Sequence, residues 1–96
     1  MIDLQFEQYR ECKLDGFNLV DSYPVQQWTH YVARFSGADL PEQLLEPEAL
    51  IIANDTGEVL QIVLREEGCD SPMFQFTETE KKQITAWFDE EISRKK

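Results

Sequence analysis

The chain reads as an α+β domain, a mostly antiparallel sheet of about five strands with one C-terminal amphipathic helix packed on a face. Three observations carry that reading. Short apolar stretches alternate with polar residues in the N-terminal part, the period of strands buried on one side and wet on the other. Two apolar runs, Leu50 to Ala53 and Val59 to Leu64, are joined by Asn54-Asp55-Thr56-Gly57-Glu58, which has the composition of a hairpin loop. The C-terminal end instead places Ile84, Trp87, Phe88 and Ile92 at i, i+3, i+4 and i+8, a helical stripe. With 96 residues, 1–96 has the size of a single globular domain.

Taken in order, Ile2, Leu4 and Phe6 alternate with Asp3, Gln5 and Glu7 and predict the first strand. Asp15-Gly16 is a turn dipeptide, and Phe17, Leu19 and Tyr23 resume the alternation beyond it, so the two stretches are expected to pair as a hairpin. Pro24 interrupts that run. Residues 24–36 admit two patterns. As a helix, Val25, Trp28, Val32 and Phe35 would share a face, giving fewer strands and two main helices. As a strand, Thr29, Tyr31, Ala33 and Phe35 face one way while Trp28, His30, Val32 and Arg34 face the other. The aromatic and β-branched content favours the strand.

Leu40 to Leu45 reads as a helical turn in a connector, capped by Asp39 and ended by Pro47. In the strand after the Asn54–Glu58 loop, strict alternation points Leu60, Ile62 and Leu64 inward and leaves Val59, Gln61, Val63 and Arg65 on the other face. A loop with Gly68 and Pro72 follows. Thr77-Glu78-Thr79-Glu80 then has the T-x-x-E form of a capping box and starts the helix, whose last residues Arg94, Lys95 and Lys96 complement its dipole.

Charge is the compositional anomaly. Nineteen acids against nine bases give a formal net charge of −10. Such a chain is not expected to bind nucleic acid or an anionic membrane surface, both of which attract cationic proteins. The excess is concentrated between residues 36 and 70, where nine acids surround a single base, Arg65. An acidic surface of this kind keeps a protein soluble, and it also steers a basic partner into contact. Glu42, Glu46, Glu48, Glu58, Glu66, Glu67 and Asp70 are the candidate partner-binding residues. One special case is mimicry of DNA, which requires carboxylates in a row without interleaved cations; Arg65 within the row counts against it.

Catalytic, metal and cofactor signatures are weak. Cys12 and Cys69 form no C-x-x-C pair, His30 is the only histidine, and four glycines supply little from which to build a phosphate cradle. No cofactor or metal is expected. Asp55-Thr56-Gly57 is the tripeptide that holds the catalytic aspartate of aspartic proteases. Here it lies past the middle of the chain, is followed by Glu58 and precedes a terminal helix, so a turn is the better reading. The N-terminal alternation lacks the unbroken apolar run of a signal peptide, and no apolar run approaches the ~18 to 20 residues of a membrane span, which points to a cytoplasmic protein.

The sequence therefore predicts a non-catalytic, acidic protein-binding module of the inhibitor, immunity or adaptor kind, acting on a basic partner through segment 39–70. Two alternatives belong to other classes. One is a small enzyme or enzyme subunit using His30 or Asp55. The other is a homo-oligomeric structural domain, such as a homodimer, joined through Trp28 and Tyr31 or through Val59 and Val63.

Overall fold

The computed structural model of the chain describes residues 1–3, 11–38, 40, 44, 46–71 and 74–94. Its elements are β1 (Ile2–Asp3), β2 (Asp15–Val25), β3 (Trp28–Ser36), β4 (Pro47–Ala53), β5 (Val59–Glu66), β6 (Cys69–Asp70), β7 (Phe74–Gln75) and α1 (Glu78–Arg94). Strands β2 to β6 form a five-stranded antiparallel meander in chain order, and β1 pairs with β7 in a separate two-stranded sheet. The fold is α+β, with α1 across one face of the large sheet.

Residues 28–36 are a strand, and the two faces sort as the alternation predicts. Ala33 and Phe35 are buried toward the helix and Tyr31 meets Phe88 edge to face at 4.9 Å, while Trp28 and Arg34 are exposed on the other side. Pro24 does not end β2. It pairs in register with Thr29, which is tolerable because β2 is an edge strand whose outer N–H groups have no ladder to complete. The turn into β3 is the two residues Gln26 and Gln27, with Gln26 at φ +57.

Among the described residues, the hairpin expected between the first strand and residues 17–23 does not form. β1 pairs with β7, more than seventy positions away, and residues 4–7 of the expected strand lie outside the described residues. Gly16 does adopt the positive φ that its dipeptide suggested, +62, but within a register shift at the start of β2. A Cβ at Gly16 would stand 2.6 Å from the Ser36 hydroxyl oxygen. That hydroxyl donates to the Asp15 carboxylate at 2.7 Å, so Asp-Gly anchors β2 to β3 instead of reversing the chain.

The β4–β5 hairpin forms where expected, with one correction. A register shift between Ile52↔Gln61 and Ala53↔Val59 leaves Leu60 as the extra residue of a bulge. Val59 is thereby turned inward against the core and Leu60 outward, the reverse of their expected faces; Ile62 and Leu64 are buried as the alternation required. Of the connector, Leu40 and Leu44 are described and pack on the core; the remainder of its expected helical turn, with Asp39, lies outside the described residues.

Helix α1 begins with both reciprocal bonds of a capping box. The Glu80 N–H donates to the Thr77 hydroxyl at 3.2 Å, and the Thr77 N–H donates to Glu80 Oε1 at 2.9 Å. Ile84 and Phe88 are buried, and Trp87 stacks on Phe17 at 5.1 Å. Ala33, Ala49 and Ala53 are buried on the sheet and leave room for the large side chains opposite. Each fully buried aliphatic or aromatic side chain here contributes roughly 1.5 to 3 kcal/mol.

Glu80 has a second role that its sequence context does not announce. Fully buried, it accepts the Cys12 N–H at 2.9 Å and pairs with the Met1 ammonium at 2.5 Å, both through Oε2. Gln83 completes the clamp on this segment, accepting from the Leu14 N–H at 2.7 Å and donating to the Cys12 carbonyl at 3.0 Å. Burial raises the Cys12 pKa above its usual value of 9.0; the Met1 ammonium opposes the rise and the Glu80 carboxylate adds to it.

Candidate functional site

Residues paired across neighbouring strands share a face, so the registers give the composition of the side of the sheet away from α1. One row reads Tyr23, His30, Ile52, Gln61, and the next Asp21, Val32, Leu50, Val63. Val25 and Trp28 lie beyond the first row, beside the turn. Tyr23 and His30 rings stand 5.4 Å apart at 41°. The one helix among the described residues is on the opposite face, and the large apolar side chains left most open are Val20 at 41%, Tyr23 at 37%, Trp28 at 38% and Leu60 at 48% exposure. Val20 and Leu60 sit at two of the sheet's three register shifts, where it departs from strict alternation.

The third row is charged. Arg34, Glu48, Arg65 and Asp70 follow one another across β3, β4, β5 and β6. Arg34 Nε lies 3.8 Å from a Glu48 oxygen, and the Arg65 guanidinium donates to the Gly68 carbonyl. Cations alternate with carboxylates here, which is the arrangement that argues against a copy of a phosphate row.

The acidic candidates divide in space. Glu46, Glu48, Glu66, Glu67 and Asp70 gather where β4 begins, β5 ends and β6 starts, since Pro47 pairs with Glu66 and Glu48 with Arg65. Glu66 accepts the Ser71 hydroxyl at 2.8 Å. Glu67 and Gly68, at φ +51 and +85, make the two-residue turn that starts β6. Glu58 lies at the other end of β5, about 25 Å away at the rise of an extended strand. Glu42 lies outside the described residues.

His30 and Asp55 go to different parts of the sheet. His30 is half-buried in the outer face beside Tyr23, whereas Asp55 is exposed in the β4–β5 loop. That loop is a turn organised by Asn54. Its side-chain carbonyl accepts the Thr56 N–H at 3.1 Å, the Thr56 hydroxyl at 2.8 Å and the Glu58 N–H at 2.9 Å. Gly57 at φ +87 completes it, so Asp55-Thr56-Gly57 has a local structural explanation. The homodimer candidates are also re-sorted: Trp28 and Val63 share the outer face, while Tyr31 and Val59 pack toward the helix.

The sequence pointed to the acids but not to the half-buried apolar face that borders them. A signal was present in Leu50, Ile52, Val63 and Val32, apolar at both phases of their strands, which marks strands with more than one apolar face. Among the described residues no group of three or more histidine, cysteine or carboxylate side chains is arranged to hold a metal ion, and no helix is long and apolar enough to cross a membrane. No family model, curated protein or solved structure matches the chain.

Proposed function

We propose that the protein is a cytoplasmic, non-catalytic binding module that docks a basic partner protein on the outer face of its sheet. One observation carries the reading: a half-open apolar face with exposed Tyr23 and Trp28 runs directly into an end that holds Glu46, Glu48, Glu66, Glu67 and Asp70. Aromatic anchors supply the desolvated centre of an interface, and a charged border sets encounter rate and partner choice. The net charge of −10 selects a cationic partner by long-range attraction. Inhibition, immunity or escort of that partner are the roles such docking serves.

The test compares three proteins as bait for basic partners: the native chain, a charge variant (Glu46→Gln, Glu67→Gln, Asp70→Asn) and a face variant (Tyr23→Ser, Trp28→Ser). A defined basic protein should be retained by the native chain, released by salt, and weakened in both variants while circular dichroism stays unchanged. Equal retention by both variants overturns the reading.

A further inference from the structure

The amino-terminal segment is fastened to the start of α1 by a buried polar cluster, and the Met1 amine is its cation. The amine nitrogen lies 2.5 Å from Glu80 Oε2 and 3.9 Å from Cys12 Sγ, and neither the ammonium nor the Glu80 side chain has exposed surface. Among the described residues it is the one ion pair with both partners fully buried. Glu80 cannot follow a displaced amine without releasing other bonds, since its oxygens also accept the Cys12 N–H and the Thr77 N–H, each at 2.9 Å. Thr77 in turn donates its hydroxyl to Glu11 at 2.7 Å, which ties a second carboxylate to the same cap.

That arrangement requires an unmodified α-amine. A formyl or acetyl group on Met1 converts the ammonium to a neutral amide and adds heavy atoms to its nitrogen. The added atoms would enter a closed site against Glu80, whose neighbours Met1, Cys12 and Thr77 are 2%, 1% and 3% exposed. Loss of charge is the larger effect. Glu80 would stay buried as a carboxylate without this counter-ion, and removing one partner of a buried pair is strongly destabilising. The damage would spread from the cap of α1 to Cys12 and to β1, which leads from Met1 into its pairing with β7.

We propose that the Met1 α-amine is a maturation site: the fold closes on an unacylated amine, and hydrolysis of any acyl group on Met1 is the reaction that must come before it. Water cleaves the amide, the acyl group leaves as a carboxylate such as formate, and the proton stays with the amine as the ammonium that Glu80 receives. Closure then protects the product, because an amine with no exposed surface meets acylating agents only as the domain opens.

Native Cys12 lets the full chain be assembled without altered residues, by ligating a synthetic 1–11 thioester to a 12–96 segment. Met1 is supplied with its free amine, as the formyl amide, or in a desamino form that lacks the nitrogen and adds no bulk, each in the native chain and with Glu80→Gln. Formyl and desamino forms of the native chain should lose about a hundredfold or more in the folding equilibrium constant from urea unfolding. Their Cys12 should react with iodoacetamide at least about tenfold faster than in the free-amine chain, with exposed Cys69 as the internal standard. In the Glu80→Gln background the desamino change should cost less than about tenfold, since no buried carboxylate is left without its cation. A formyl chain as stable as the free-amine chain overturns the maturation site. An equal desamino penalty in both backgrounds, or failure of both desamino chains to fold, overturns the pair as its cause, and the proposal with it.

Discussion

The two faces of the sheet are nearly equally apolar at their centres and differ in what lies over them. On the inner face, Ala33, Ala49 and Ile51 are fully excluded from solvent beneath Ile84 and Phe88 of the helix. On the outer face Val32 is buried, Leu50, Ile52 and Val63 are half-buried, and Tyr23 and Trp28 are exposed. The difference teaches that local alternation decides which way a side chain points, while the covering layer decides what that direction is worth. An identical leucine contributes more under a helix than under water, because only the helix removes its whole surface from solvent.

The largest expected effect breaks the closed side. Phe88→Ala empties a site enclosed by Tyr31 and the core and should cost about 3–5 kcal/mol in equilibrium denaturation. Leu50→Ala on the open side should cost well under half of that; equal costs would show that the outer face is already covered in the free protein. Glu80→Gln ranks next. It keeps a capping side chain but leaves the Met1 ammonium buried opposite a neutral group, and a loss of about 3 kcal/mol is expected for a broken buried pair. A loss below about 1 kcal/mol would mean that Glu80 acts only as the helix cap.

Trp28→Ser sharpens the comparison from the other direction. The residue is 38% exposed and no described helix lies above it, so the thermal midpoint should move little, corresponding to under about 1 kcal/mol. Affinity for the proposed basic partner should fall by about tenfold or more, the behaviour of an aromatic anchor. A large drop in stability with unchanged binding would move Trp28 into the set of residues that hold the fold.

What the sequence made legible follows the range of the interactions. The capping box of Thr77 and Glu80, the stripe of Ile84, Trp87, Phe88 and Ile92, and the Asn54–Glu58 turn rest on contacts within a few residues, and each formed where the pattern placed it. The Val59 and Leu60 faces were inverted because a bulge is set by how two strands fit, and neither strand alone records the extra residue. The β1–β7 pairing and the contacts of Glu80 with Met1 and Cys12 join distant parts of the chain, and Glu80 viewed along the sequence is only the third residue of a helix cap. Of the acidic candidates, the sequence identified the residues but not their partition, since the sheet gathers Glu46, Glu66, Glu67 and Asp70 at one end and sends Glu58 to the other.

The smallest effect uses one side chain in two environments. Cys12 lies in the closed layer and Cys69 is exposed beside the turn after β5. Iodoacetamide should therefore modify Cys69 in the native protein and reach Cys12 only as the fold opens. The same burial gives a signed pH dependence. An unfolded chain ionises the Cys12 thiol near 9.0, whereas burial holds the folded thiol neutral to higher pH. Below that value the thiol carries its proton in both states and contributes no slope. Above it the unfolded state releases a proton that the folded state keeps, so stability falls with rising pH, by at most about 1.4 kcal/mol per unit, until the folded thiol also ionises. Groups away from Cys12 are common to the native protein and a Cys12→Ala variant. The difference between the two urea-unfolding curves reports the thiol together with its contact to the Met1 ammonium. A difference that stays flat from pH 8 to above 9.0 would show that water reaches Cys12 in the folded state, and would narrow the contrast between the two sides of the sheet.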